Sequence, residues 1–135
     1  RNLRMRHRRI LDMHGKTSAT AGDICFSWTT NGGNGAWTSW PPHEHEKDLE
    51  EVYCYFDMDD PHFGLHLSYV EPGDTHGVVA HTVKSGTMIL APRGYHPTVA
   101  APGTRNTYLW VLAAHSHKSR RYDLAVLDPK RAEMN

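Results

Sequence analysis

Short runs of β-branched and aromatic residues alternate with turn-forming residues along most of the chain. Each run is closed by Gly, Pro, Asn or Asp, a pattern typical of β-strands separated by tight turns. The pattern predicts eight strands, near residues 23–30, 51–58, 64–71, 77–83, 87–91, 98–101, 106–113 and 122–127. No stretch has the period of an amphipathic helix. Many short strands with frequent turns favour an all-β fold, either an antiparallel barrel or a sandwich.

The length of 135 residues is enough for one domain with a real core. We expect a basic N-terminal arm and lead-in over residues 1–20, a single domain over 21–128 and a polar C-terminal tail over 129–135. The arm has five arginines among its first nine residues. Short charge runs of this kind are usually solvated.

Composition narrows the range of partners. Fifteen basic residues balance fifteen acidic ones, so bulk charge does not indicate nucleic-acid binding, and only the basic arm would support it. The longest apolar runs are too short to cross a bilayer, which predicts no membrane partner. The chain has only two cysteines, far apart in sequence, and no leader pattern is visible. These features favour a cytoplasmic protein.

A histidine pair, His43 and His45, follows two prolines in the first half of the chain. On an extended backbone, residues two apart point to the same side, so both imidazoles can hold one metal. Glu51 opens a later predicted strand, in which alternation places Glu51, Tyr53 and Tyr55 on one face. If that face lines the interior, Glu51 can join the two histidines.

A fourth ligand candidate, His96, lies after a predicted strand and a turn that contains Pro92 and Gly94. Three imidazoles and one carboxylate suit zinc, iron, nickel or manganese and leave coordination positions for substrate oxygens. The set therefore predicts a catalytic metal site rather than a structural one. A second His-x-His pair, His115 and His117, lacks a following carboxylate and is expected to face solvent.

The layout of His43, His45, Glu51 and His96 resembles that of the cupins, small antiparallel β-barrels (jelly rolls, or double-stranded β-helices) with a metal held inside one end. The strings at residues 36–45, 49–53 and 92–97 resemble the 5-deoxy-glucuronate isomerases of inositol catabolism and the related 4-deoxy-5-keto-uronate isomerases. The resemblance covers roughly residues 8–114 and corresponds to the second, metal-bearing domain of a family with two cupin domains in tandem. Five residues separate His45 from Glu51, more than in the usual cupin motif.

The resemblance implies an aldose–ketose isomerase that acts on a small acidic sugar, with conversion of 5-deoxy-glucuronate to 5-keto-2-deoxy-gluconate as the expected reaction. It implies one divalent metal per chain on His43, His45, Glu51 and His96. Zinc is favoured because no redox change is needed, and manganese, iron and nickel are alternatives. A homo-oligomer is expected from the family.

Isomerisation requires a group that carries a proton between adjacent carbons, ideally with a pKa near neutrality. Three candidates lie close to the ligands in sequence or in the predicted interior: Tyr53, Tyr108 and Glu50. Alternation sends Glu50 away from the face of Glu51, so the assignment of the base stays open.

A substrate carboxylate requires a cation, and a planar guanidinium suits it through paired hydrogen bonds. Arg93, three residues before His96, is the first choice, followed by Arg105 and Lys84, while Tyr55 is a candidate wall residue of the substrate cavity. Two alternative functions remain at this point. One is another metal-dependent cupin enzyme, a dioxygenase or a lyase acting on a small acid, and the other is a cupin that binds sugars without turnover.

Overall fold

The computed structural model describes residues 24–31, 34–121 and 123–132. The predicted N-terminal arm, residues 1–20, and the last part of the predicted tail, residues 133–135, lie outside the described residues. The described strands are β1 (Ile24–Asn31), β2 (Trp37–Thr38), β3 (His43–Glu44), β4 (Leu49–Tyr55), β5 (Gly64–Ser68), β6 (Val79–Val83), β7 (Met88–Ala91), β8 (Thr98–Ala100), β9 (Thr107–Ala114) and β10 (Val126–Leu127). The one helical element in this part of the chain is a short 3₁₀ turn, His117–Ser119. The described residues therefore contain no helix that could cross a membrane.

The strands form two four-stranded antiparallel sheets and one two-stranded ribbon. The first sheet has the order β1-β9-β4-β7 and the second has the order β2-β8-β5-β6. The ribbon pairs β3 with β10, so that Val126 lies opposite Glu44 and Leu127 lies opposite His43. The non-sequential strand order places residues from both halves of the chain in each sheet.

The two large sheets pack face to face through tyrosines. Tyr55 on β4 donates a hydrogen bond to Thr98 on β8 at 3.0 Å. Tyr108 on β9 donates to Thr38 on β2 at 2.9 Å. Large phenol rings therefore fill the space between the layers while their hydroxyl groups find partners in the opposite sheet. The main core cluster combines these rings with smaller apolar side chains: Tyr53, Tyr55, Met58, Val83, Ala91 and Tyr108.

The structure confirms the predicted all-β antiparallel fold, with differences in its shortest elements. Each of the eight predicted strands overlaps an observed one, but β2 and β3 are not among the predictions. Both are two residues long, which is too short for alternation to be recognised. The predicted last strand shrinks from residues 122–127 to Val126–Leu127.

The segment after β10 is fastened to the barrel by a buried carboxylate. Asp128 accepts hydrogen bonds from the Tyr69 hydroxyl at 2.7 Å and from the Gly73 amide at 3.0 Å. Asp128 also accepts a hydrogen bond at 3.0 Å from Arg131, three residues further along the chain. The Arg131 guanidinium in turn lies over the Tyr69 ring, 4.7 Å from its centre. The Asp128 amide in turn donates to the Pro42 carbonyl at 2.8 Å, next to β3. The described part of the predicted tail, 129–132, is thus held beside the strand that carries His43.

Gly94 is required by both its backbone conformation and its surroundings. It has a φ of +76°, and a Cβ atom there would lie 2.6 Å from the Tyr69 carbonyl oxygen. We expect Gly94→Ala to lower the free energy of unfolding by about 2–4 kcal/mol, because backbone strain and a clash with a fixed carbonyl combine. Denaturant unfolding measures this change.

The matched control is Gly103→Ala. Gly103 has a φ of +84°, but a Cβ atom there would meet nothing within 4 Å. Only the backbone strain remains, so the expected cost is about 1–2 kcal/mol. Equal losses in the two variants would contradict the steric role assigned to the Tyr69 carbonyl.

Candidate metal centre

Three histidines converge at one end of the space between the sheets. His43 lies on β3, His45 lies in the turn that follows, and His96 lies in the segment between β7 and β8. Their ring nitrogens lie within 4.8 Å of one another, so the three could hold one metal ion. The turn is fixed by the Leu49 amide, which donates to the His45 carbonyl at 2.9 Å and leads directly into β4.

Glu51 on β4 lies between two of these rings. One carboxylate oxygen, Oε2, is 3.0 Å from His45 Nε2 and 2.9 Å from His96 Nε2. The Glu51 side chain is only 4% exposed, so it depends on these two contacts to offset the loss of water. The structure therefore brings together all four residues that the sequence singles out as ligands.

Backbone carbonyls fix the orientation of two of the rings. His43 Nδ1 lies 3.0 Å from the Pro41 carbonyl oxygen, and His96 Nδ1 lies 2.8 Å from the Gly94 carbonyl oxygen. Because a carbonyl oxygen only accepts, each Nδ1 carries the proton and donates. The remaining nitrogen, Nε2, is then the one available to a metal, as is usual for histidine ligands held by a second hydrogen bond.

Burial and mutual contact set the charge states of the cluster. Burial, together with the charge of nearby His96, lowers the pKa of His43 from 6.5 to about 4, so this ring is neutral at pH 7. For Glu51, burial alone would raise the pKa, but hydrogen bonds with His45 and His96 outweigh it and hold the pKa well below its ordinary value. For His96, burial is outweighed by the Glu51 carboxylate, and the pKa is raised.

The turn before His96 is held from two sides. Tyr95 and Tyr69 exchange a pair of backbone hydrogen bonds of 2.8 and 3.1 Å, which ties this turn to the end of β5. The Gly94 amide donates to the Glu46 carboxylate at 3.3 Å, which ties it to the turn that carries His45. The two histidine-bearing turns are therefore linked to each other and to the end of β5.

A cleft of about 470 Å³ on the side of the barrel reaches one residue of the cluster, His96. It opens between β6 and β7, each of which is one of the two edge strands of its sheet as described. His66 and His96 lie in its wall, together with Arg93 and His81. A small, polar molecule entering here would reach His96.

The three tyrosines singled out by the sequence all lie in the barrel interior. Burial raises the pKa of Tyr53 well above its ordinary value, so its phenol stays protonated at neutral pH. The Tyr53 hydroxyl lies 3.3 Å from the Ser39 hydroxyl, and the Tyr53 ring centre lies 5.9 Å from that of His96. Tyr55 and Tyr108 lie further along the same layer of rings, with their centres 5.2 Å apart.

The remaining candidates are divided between the cleft and the outer surface. Arg93 lines the cleft, whereas Lys84 is exposed and paired with Asp60 at 3.1 Å. Arg105 is exposed and does not line the described cleft. Glu50 faces outward, 3.8 Å from His115, because successive residues of β4 alternate between the two faces of the sheet. Glu50 is therefore turned away from the carboxylate that it adjoins in sequence.

One buried histidine was not among the sequence candidates. His66 on β5 is fully buried between its half-buried neighbours Leu65 and Leu67. A lone histidine between leucines has no second ligand at a recognisable spacing. It is two residues from Gly64 on a predicted strand, however, and this alternation could have placed both on the inward face. The second pair, His115 and His117, is exposed, as the sequence predicts.

A jelly-roll barrel with three histidines and a carboxylate inside one end is the architecture of a cupin, as the sequence predicts. A family model described as the KduI/IolB family matches residues 2–130. The chain belongs to this family.

Curated relatives named 5-deoxy-glucuronate isomerase match part of the chain. The protein of Geobacillus kaustophilus is 37% identical over 86 residues, which cover 58% of this chain and 30% of that protein. The protein of Bacillus subtilis subsp. natto is 34% identical over 97 residues, which cover 67% of this chain and 35% of that protein. The chain thus spans about a third of the length of the curated relatives it matches.

Solved structures share the fold. An IolB-like protein from Salmonella typhimurium LT2 superposes with a TM-score of 0.69 at 23% identity, over 96% of this chain and 52% of that one. The polyketide cyclase RemF from Streptomyces resistomycificus superposes with a TM-score of 0.55 at 17% identity, over 95% of this chain and 78% of that one. At these identities the likeness concerns the fold alone.

Acidification is expected to destabilise the metal-free protein through its buried neutral histidines. Burial lowers the pKa of His66 from 6.5 to about 3, and that of His43 from 6.5 to about 4. At these two positions, the unfolded chain therefore binds more protons than the folded one below pH 6.5. The stability contributed by each neutral ring is complete above pH 6.5 and is lost as the pH falls toward the folded value, by up to about 1.4 kcal/mol per pH unit.

Urea unfolding in the presence of a chelator, at pH values from 7.5 to about 4.5, measures this dependence. His66→Asn cannot titrate at this position. Its free energy of unfolding should therefore fall less steeply with acidification, with a slope that corresponds to about one proton fewer taken up on unfolding. His96 has a raised pKa and works in the opposite sense in both proteins, so the comparison isolates His66. Identical slopes in parent and variant would contradict the prediction.

Proposed function

We propose that this chain forms the metal centre of an aldose–ketose isomerase for a small acidic sugar, with 5-deoxy-glucuronate as substrate and 5-keto-2-deoxy-gluconate as product. The observation that carries the proposal is the cluster of His43, His45, Glu51 and His96, of which His96 also lines a cleft. Membership of the KduI/IolB family supports the reaction class, and the relatives named 5-deoxy-glucuronate isomerase support this substrate.

The donor set fits a divalent metal. Three imidazoles offer nitrogens within 4.8 Å of one another, and a carboxylate oxygen lies within 3.0 Å of two of them. In His43 and His96, the proton on Nδ1 is committed to a carbonyl, which leaves Nε2 for coordination. Zinc is the metal we favour, because imidazole and carboxylate ligands suit it and isomerisation needs no redox change.

A divalent metal bound by these four residues would act as a Lewis acid that polarises the sugar carbonyl and stabilises the negative charge developing on its oxygen. The chain itself supplies the surroundings for that charge. Burial of the cluster excludes water, which strengthens every electrostatic interaction within it. Glu51 and the fixed rings of His43 and His96 are already oriented, so little reorganisation is required during the reaction.

Tyr53 is suited to hold a proton rather than to take one. Its phenol stays protonated at neutral pH because burial raises its pKa well above the ordinary value. An isomerisation removes a proton from one carbon and returns a proton to its neighbour. A protonated phenol beside His96 is not the base for that removal, but it can donate a hydrogen bond to a substrate oxygen. Glu50, on the outer face, is not suited to act on the same substrate.

Arg93 is the cation that we assign to the substrate carboxylate. Among the residues described as lining the cleft, it is the only arginine or lysine. Its guanidinium can donate a hydrogen bond to each oxygen of a carboxylate in a paired arrangement. The sugar would then extend along the cleft from the exposed Arg93 toward the buried His96.

Elemental analysis of the purified protein and of His45→Ala tests the metal site. We expect about one divalent ion per chain in the parent and at least a tenfold lower content in the variant, because His45 supplies one of the ligand nitrogens. Isomerisation of 5-deoxy-glucuronate should be lost together with the metal. His117→Ala, which removes an exposed histidine, is the control and should retain both. A metal-free parent protein would overturn the proposal.

Steady-state kinetics of Arg93→Ala test the carboxylate site. We expect KM for 5-deoxy-glucuronate to rise about 10- to 100-fold with a smaller change in kcat, because a charge-assisted pair contributes about 1.5–3 kcal/mol to binding. Arg121→Ala removes another exposed guanidinium, one paired with Asp123, and should leave KM unchanged. An unchanged KM in Arg93→Ala would exclude Arg93 from substrate binding.

A further inference from the structure

His66 has one nitrogen in a hydrogen bond and one without a partner. It is fully buried on β5, and its Nδ1 lies 2.8 Å from the Tyr55 hydroxyl. Its Nε2 is buried and has no hydrogen-bond partner. A buried polar atom without a partner costs about 1–3 kcal/mol, so such atoms are rare unless a ligand or water satisfies them.

A chain of hydrogen bonds determines which nitrogen of His66 carries the proton. The Thr98 hydroxyl donates to the Leu65 carbonyl at 2.9 Å, which uses its only proton. Tyr55 must then donate to Thr98, at 3.0 Å, because the opposite direction would require a second proton on Thr98. Asn106 also donates to Thr98, at 3.0 Å, which fills its remaining acceptor position.

The Tyr55 oxygen, having given its proton to Thr98, can only accept from His66. His66 Nδ1 is therefore the protonated nitrogen. Burial lowers the pKa of His66 to about 3, so the ring carries no second proton at neutral pH. Nε2 is consequently a fixed lone pair, which can accept a hydrogen bond but is too weakly basic to remove a proton from carbon.

The residue that carries this lone pair belongs to the wall of the cleft. His66 and His96 both line the cleft, and their rings lie nearly parallel with centres 6.4 Å apart. The Tyr53 ring packs against His66 with its centre 4.8 Å away and holds it in place. A molecule in the cleft therefore lies beside both His96 and the residue whose acceptor lacks a donor.

We propose that His66 is a specificity-determining residue of the site, whose Nε2 accepts a hydrogen bond from one hydroxyl group of the bound sugar acid. The inference rests on the proposed function for the class of ligand. A sugar that lacks this hydroxyl leaves Nε2 without a partner and binds more weakly, whereas a sugar with a hydroxyl at the matching carbon forms the hydrogen bond. The preference for a hydroxyl donor originates at the Leu65 carbonyl, because that acceptor fixes the direction of the hydrogen bonds through Thr98 and Tyr55 to His66.

Calorimetric titration of the zinc-loaded protein with D-glucuronate and with its 2-deoxy, 3-deoxy and 4-deoxy analogues tests the proposal. We expect the parent protein to bind one deoxy analogue roughly 10- to 100-fold more weakly than glucuronate. His66→Asn keeps an N–H group near Tyr55 but removes the acceptor, so it should bind that analogue and glucuronate alike. His66→Gln, which can place an amide oxygen near Nε2, should recover part of the discrimination.

Two controls separate a folding defect from lost recognition. Each variant must retain the zinc content and thermal midpoint of the parent, and nitrogen NMR of the parent must show His66 protonated at Nδ1 and not at Nε2. Discrimination that survives in His66→Asn, a proton on Nε2, or a parent that binds none of these sugars would overturn the inference.

The outcome also separates this inference from the proposed function. A parent protein that isomerises 5-deoxy-glucuronate but shows no His66-dependent discrimination retains the function and rejects the role of His66. A protein that discriminates through His66 but does not isomerise retains the role and rejects the reaction.

Discussion

The burial of one carboxylate governs the interior of this barrel. Glu51 lies inside a protein layer made largely of tyrosine rings, where an isolated charge would be prohibitively unfavourable. It remains ionised because His45 and His96 approach the same oxygen from two directions. That arrangement requires the turn after β3 and the turn after β7 to meet above β4. The route of the chain at this end of the barrel follows from that requirement.

The tyrosine layer serves both stability and chemistry. Phenol rings fill the width between the sheets, and their hydroxyl groups reach threonines on the far side, at Thr38 and Thr98. Apolar side chains could fill the same volume, but they could not order the protons around a histidine. The tyrosines of the barrel core therefore also surround the histidine cluster, so the same residues fill the core and direct the hydrogen bonds around it.

The sequence was sufficient for the features that depend on local spacing. Alternation from Glu51 to Tyr55 predicts the inward face of β4, and the paired histidines with Gly94 and His96 predict where the ligand candidates converge. Spacing could not identify His66, because its role depends on hydrogen bonds from β4 and β8 that no local pattern encodes. It ranked Arg93 ahead of Lys84 only from the short distance in sequence to His96, whereas the sheet order decides which cation borders the cleft.

The ribbon of β3 and β10 affects how this site can form during synthesis. The strand that carries His43 pairs only with β10 among the described strands, and Asp128, just beyond it, fixes the adjoining Pro42. All four ligand candidates leave the ribosome before that partner strand does. A nascent chain can therefore hold every metal-binding side chain while one of them still lies on an unpaired strand. Completion of the site is a late, long-range event. Chains interrupted shortly before β10 would contain all four ligand candidates but lack the strand that pairs with the one carrying His43.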